Sequence, residues 1–146
     1  MGIVDDLLAN PGLYVGKDHV VGRDLVGAAR IVVTVLPGRA GVSLDYELLN
    51  GMAPGPVLGH AEHTLIGRAD DGTTLMVVAH THGSGLTLLR ETGPGMFEPG
   101  DVPVPYPMKV VLSVPAPGRL RHAWWWGAPG DDAMERDVAD LELVTA

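Results

Sequence analysis

Four residues in this chain combine side-chain types and spacings that suit chemistry. They are His60, Glu62, His80 and His82. Alternate residues of a β-strand point to the same face, so the two members of each pair share a face. The sequence Asp-Asp-Gly at 70–72 lies midway between the pairs and indicates a tight turn. A three-residue loop with Gly72 in the left-handed conformation would place Glu62 opposite His80, and His60 opposite His82. The spacing therefore predicts one cluster of three imidazoles and one carboxylate.

Such a cluster has three interpretations. Neutral imidazole and carboxylate are ligands of zinc, iron(II), manganese, copper or nickel, so all four residues are candidate ligands of a divalent metal. They also suit a polar patch inside a barrel that orients a small ligand, and haem stays open as that ligand. The third interpretation is an ordinary polar sheet face. A two-residue turn at Asp71-Gly72 would place His80 opposite His63 and break up the cluster.

The elements that must position these residues are predicted to be β-strands. The chain has 146 residues, of which 46% are hydrophobic and 19% charged, and this favours one packed core. Its 20 glycines and 12 prolines indicate many tight turns between short strands. A short helical turn around Val4–Leu8 should precede about nine strands. These are predicted near 14–25, 30–36, 42–48, 57–68, 73–82, 86–92, 108–114, 119–126 and 133–144.

Short turns between successive strands favour an antiparallel meander, and a meander of this length avoids exposed edges by closing into a barrel. We therefore predict an all-β fold with a single β-barrel domain over 1–146. A cupin-like or other β-sandwich is the alternative. The proline-rich stretch 93–107 is predicted to be a long loop or edge segment, because proline donates no ladder hydrogen bond. Such a loop is often a lid over a binding site.

Composition excludes several functional classes. The net charge is −8, with two lysines and eight scattered arginines, so nucleic acid is not an expected partner. The absence of cysteine excludes disulfides, thiolate metal sites and cysteine nucleophiles. The first ten residues lack the basic and apolar regions of a signal peptide, and no apolar run reaches membrane-spanning length. The expected location is the cytoplasm, with no membrane partner.

Three consecutive tryptophans lie on the predicted strand 119–126. Trp125 must point away from Trp124 and Trp126, because strand side chains alternate. Trp125 shares a face with Arg119 and Arg121, and inside a barrel that face would suit stacking on a ligand that carries a carboxylate. The alternative is that two of the tryptophans pack in the core while one covers a barrel end.

The layout resembles the calycin group, which includes lipocalin-like and fatty-acid-binding-protein-like barrels. The points of resemblance are the short helix before the first strand, the meander and a closing strand around 135–143. The Gly-x-Trp signature of many lipocalins is absent, and Pro-Gly-Leu-Tyr stands at 11–14 instead. The resemblance implies a barrel that binds a small, largely apolar or amphipathic molecule.

The histidine cluster is also partly similar to cupins, which hold a metal with three histidines and a glutamate. Cupins place the carboxylate a few residues after the His-x-His pair, whereas Glu91 follows His82 by nine positions. Only His122 is available as the later histidine. Three functions therefore stay open: a small-molecule-binding barrel, a metal-dependent cupin-like enzyme, and an oligomeric interaction domain.

Overall fold

The computed structural model describes residues 2–22, 26–50, 57–83 and 85–145. These residues form one α-helix and ten β-strands. In chain order they are α1 (Ile3–Ala9), β1 (Gly12–Val20), β2 (Val26–Val35), β3 (Gly41–Asn50), β4 (Val57–Arg68), β5 (Thr74–His80), β6 (Thr87–Gly93), β7 (Met96–Glu98), β8 (Met108–Ser113), β9 (Arg119–Trp126) and β10 (Met134–Leu143). None of the helices in the described ranges is long and apolar enough to cross a membrane.

All ten strands belong to one closed antiparallel barrel. Each strand pairs with the next along the chain, and β1 pairs with β10 to close the sheet. The predicted meander barrel is therefore confirmed, and the alternative of a β-sandwich is wrong. Closure pairs every edge, which removes the exposed strand edges that an open sheet of this size would carry.

The turn between β4 and β5 sets the register of the histidine motifs. The Ala69 amide donates to the Thr73 carbonyl at 2.8 Å, which leaves a three-residue loop. Gly72 takes the left-handed conformation with φ of 85°, which costs glycine nothing. The resulting ladder pairs Glu62 with His80, as the sequence predicts.

The barrel interior is filled by alternate residues of each strand. The alternating apolar positions of β3, from Val42 to Leu48, all point inward and are buried. The inward face of β4 and β5 likewise carries Ile66, Met76 and Val78, each at most 1% exposed. Because Glu62 and His80 share that face, the register brings their side chains into the barrel as well.

The helix closes one end of the barrel. Ile3, Val4 and Leu7 of α1 are buried in the core. At the end of β4, Nη2 of Arg68 donates a hydrogen bond to Oδ2 of Asp5 at 2.7 Å, and this bond attaches the helix to that end of the barrel. Since neighbouring strands are antiparallel, the end of β1, the start of β4 and the end of β5 lie at the opposite end. The histidine motifs are therefore at the end away from the helix.

The proline-rich stretch differs in part from its prediction. Its first residues form β7, a three-residue strand in which Phe97 is fully buried. Gly95 makes this possible: it turns the chain with a φ of 70°, and its amide donates to the Glu91 carboxylate at 2.8 Å. Residues 99–107 contain no strand, as expected. The predicted first strand ends at Val20, and residues 23–25 of that prediction lie outside the described residues.

Candidate functional site

Glu62 is the centre of a hydrogen-bond network inside the barrel. It is 3% exposed and accepts hydrogen bonds from two strands. His60 on its own strand donates from Nε2 to Oε2 at 2.8 Å. On β9, His122 Nε2 donates to Oε1 at 3.0 Å and Trp124 Nε1 to Oε2 at 2.7 Å. Since β4 and β9 are not sheet neighbours, these last two bonds cross the barrel interior.

These donors keep Glu62 ionised. Burial alone raises the pKa of a carboxyl group, because it disfavours the charged form. The charges and hydrogen bonds of His122 and His60 outweigh that effect and hold the pKa of Glu62 well below its usual range. Glu62 is thus a fixed carboxylate whose oxygens are already engaged, and its role is to orient the three rings that donate to it.

A second pair of polar residues lies beside this network. The Tyr46 ring on β3 stacks on His122 with centroids 5.0 Å apart. Its hydroxyl donates to Oδ2 of Asp18 at 2.9 Å, and Asp18 is 2% exposed. Burial raises the pKa of Asp18, which the hydrogen bond from Tyr46 only partly offsets. Burial, followed by the charge of Asp18, raises the pKa of Tyr46 far above its usual range, so the hydroxyl remains a donor.

The three predicted histidines form a cluster at the open end. The ring of His60 lies 5.3 Å from that of His82 and 6.0 Å from that of His80, between centroids. The His82 amide donates to Nδ1 of His80 at 3.2 Å, which places the proton of a neutral His80 on Nε2. Burial lowers the pKa of His80 and favours this neutral form; Glu62 opposes the shift, and His60 and His82 add to it.

The structure thus brings His60, Glu62, His80 and His82 to the same end of the barrel. Among the described residues, no group of three or more His, Cys, Asp or Glu side chains is placed to hold a metal ion. Both carboxylate oxygens of Glu62 already accept hydrogen bonds from three rings, and one of these rings is that of His60 in the cluster. A metal at these four residues remains a prediction and requires those bonds to break.

A cavity of about 560 Å³ opens beside the histidine cluster. Its walls combine histidine, tyrosine and tryptophan rings with aliphatic side chains and two aspartates. They are formed by Asp18, Val20, Tyr46, Leu48, Gly59, His60, His80, His82, Tyr106, Trp124, Trp126, Gly127, Ala128, Pro129 and Asp137. Tyr106 comes from the proline-rich stretch, so this loop contributes to the wall of the cavity, where a lid was predicted.

Trp125 is not brought to this site. It lies on the outer face of β9, where Nζ of Lys109 is 4.1 Å from the centroid of its ring. Strand alternation instead turns Trp124 and Trp126 to the cavity. The two arginines that share a face with Trp125 form exposed ion pairs, Arg119 with Glu142 and Arg121 with Asp140. The alternation of the three tryptophans was predictable from the sequence, whereas which of the two faces lines the barrel was not.

Several residues of the site were not predicted. His122 and Trp124 share a face of β9, but nothing local shows that they meet β4 across the barrel. Asp18 alternates with Tyr14 and Gly16 on β1, and that alternation was the available signal for an inward aspartate. Comparison with known proteins adds no residue roles: neither a protein-family model nor a curated protein matches the chain.

Proposed function

We propose that this protein binds a small, largely apolar or amphipathic molecule in the cavity at the open end of the barrel. The observation that carries the proposal is the cavity itself, whose aromatic and aliphatic walls surround a few convergent polar groups. Ligand pockets in proteins typically have volumes of about 300–1,000 Å³ and combine these features. The polar groups of the cavity wall, which include the histidine cluster, Asp18 and Asp137, would then orient the polar part of the ligand.

The hydrogen-bond network supports this proposal because it fixes the cavity walls. Trp124 is held by Glu62, and Tyr46 is held by Asp18 and by stacking on His122. Rings that are immobilised before the ligand arrives lose little further conformational freedom on binding. The network therefore serves to preform the cavity.

The proposal also covers the binding partner of the protein and its location in the cell. The charge of −8 disfavours phosphate backbones, so a small molecule is the proposed partner instead of nucleic acid. The cytoplasm is the proposed location, in keeping with the absence of cysteine. A homo-oligomer is compatible with exposed apolar side chains on the outer face, such as Leu65 of β4.

Displacement of a fluorescent probe tests the proposal. N-phenyl-1-naphthylamine is uncharged and apolar, and its emission rises when it leaves water. We expect saturable binding that Val20→Trp weakens at least about tenfold, because the larger ring fills a cavity that Val20 lines. The matched control is Val15→Trp on the same strand, where the side chain is 42% exposed on the outer face.

The control also corrects for the fluorescence of an added tryptophan. Normal binding by Val15→Trp together with weak binding by Val20→Trp supports a ligand site inside the barrel. Equal affinities in both variants would place the probe elsewhere and contradict the proposal. Failure of the wild-type protein to bind any apolar or amphipathic probe would also contradict it.

A further inference from the structure

Two carboxyl groups face the cavity from neighbouring strands. Asp18 of β1 pairs with Ala139, and Val20 pairs with Asp137 of β10, so the two aspartates are diagonal neighbours on the inner face. Diagonal neighbours of this kind lie about 7–8 Å apart between backbone positions. One small cationic group is therefore able to approach both carboxyl groups.

These inner aspartates differ from the acidic residues on the outside of the barrel. In the described part of the chain, outward-facing acids commonly pair with arginine, as in Arg30–Glu47, Arg68–Asp5, Arg119–Glu142 and Arg121–Asp140. Within the same ranges, neither Asp18 nor Asp137 forms an ion pair with lysine or arginine. Asp18 has one donor there, the Tyr46 hydroxyl. A carboxylate removed from water without a cation is costly, and a cationic ligand would offset that cost.

The tyrosine and tryptophan rings in the cavity wall also favour a cation. The faces of aromatic rings attract ammonium groups through the ring quadrupole. Tyr46, Tyr106, Trp124 and Trp126 all line the cavity, and no lysine or arginine in the described ranges does. The guanidinium of Arg136 is directed to the indole of Trp126, 4.9 Å from its centroid, and also donates to the Trp126 carbonyl.

We propose that the ligand of this cavity is an organic cation, a protonated amine on an apolar or aromatic body. The inference rests on the proposed binding function and specifies its ligand class. The ammonium group would lie between Asp18 and Asp137, and the apolar body would pack against Leu48 and the tryptophan rings. A ligand with a carboxylate would instead face two acidic groups at the same place. Burial raises the pKa of both aspartates, and the hydrogen bonds from Tyr46 and Trp126 and the nearby histidines only partly offset this rise. An ammonium group would lower both pKa values further on binding.

Three ligands of the same shape test this inference. They are 4-phenylbutylamine, 4-phenylbutanol and 4-phenylbutyrate, which differ only in the terminal group. We expect titration calorimetry at neutral pH to give an affinity about tenfold higher for the amine than for the alcohol, and weakest binding for the carboxylate. Equal or tighter binding of the alcohol or the carboxylate would overturn the amine assignment and leave the proposed binding function standing. Failure of all three to bind, and to displace N-phenyl-1-naphthylamine, would contradict both.

Two substitutions locate the amine. Asp137→Asn keeps the shape of the side chain and removes its charge, and we expect it to reduce the preference for amine over alcohol at least about fivefold. Asp140→Asn is the matched control on the same strand, because Asp140 faces outward and pairs with Arg121. If Asp137→Asn fails to fold, the preference for amine over alcohol is measured in Asp18→Asn instead. An unchanged preference in the folded Asp137→Asn and Asp18→Asn proteins would overturn the inference.

Discussion

Glu62 retains its charge inside the barrel because three rings donate hydrogen bonds to it. A buried carboxylate is stable only when its oxygens are satisfied, and Glu62 meets this condition through two histidines and one tryptophan. Removing the carboxylate leaves Trp124 and His122 as buried donors without an acceptor. The stability of the protein therefore depends on a residue that also orients the cavity walls.

We expect Glu62→Ala to lower the free energy of unfolding by about 3 kcal/mol or more, as when one member of a buried charged pair is deleted. Glu62→Gln should cost less, because the amide oxygen still accepts from Trp124 while His122 takes the other tautomer. Urea titration measures both values. The control is Glu142→Ala, where the carboxylate is exposed on the outer face. A loss for Glu62→Ala no larger than that of the control would show that the network does not stabilise the barrel.

Elements that follow one another along the chain were predictable from the sequence. The β4–β5 register was predictable from Gly72 in its three-residue loop. Strand β9 was predictable because its residues stand between two turn sequences. The arrangement across the barrel was not predictable, because Glu62 and His122 are 60 positions apart and meet only when β1 closes on β10. β7 was missed because its three residues stand among prolines, and only the Gly95 turn makes a strand there possible.

The helix and the cavity occupy opposite ends of the barrel, and this separation can be tested. Leu7 of α1 is fully buried, and its truncation should cost about 2–5 kcal/mol of unfolding free energy, because it leaves a cavity at the closed end. Leu7→Ala should nevertheless bind N-phenyl-1-naphthylamine with unchanged affinity while it remains folded. The matched control is Leu65→Ala, because Leu65 is 50% exposed on the outside.

Thermal unfolding and probe titration of the same samples measure the two effects separately. A loss of affinity in folded Leu7→Ala would mean that the helix shapes the cavity from the other end. No loss of stability would mean that α1 does not close the core.

The molecule as a whole keeps most of its charged side chains outside the barrel and only a few carboxyl groups inside it. The outer acids are solvated or paired with arginine, whereas Asp18 and Asp137 are retained where burial penalises their charge. Selection for stability alone would not place these aspartates there. Functional groups, by contrast, are often retained at a cost in stability. The pH dependence of unfolding should reveal this cost.

We expect Asp18→Asn to be more stable than the ligand-free wild type at neutral pH. Burial raises the folded-state pKa of Asp18 above its ordinary value of 3.8, so the folded protein binds this proton more tightly than the unfolded chain. The contribution of Asp18 to stability is therefore fully present below pH 3.8 and is lost as the pH rises through the raised pKa. Asparagine has no charge to lose, so the advantage of Asp18→Asn should grow with pH over that interval and then level off. Urea titrations across the acidic and neutral range measure this difference in unfolding free energy, with Asp140→Asn as the control. If the stability advantage of Asp18→Asn is constant or shrinks as the pH rises, burial does not penalise the charge of Asp18.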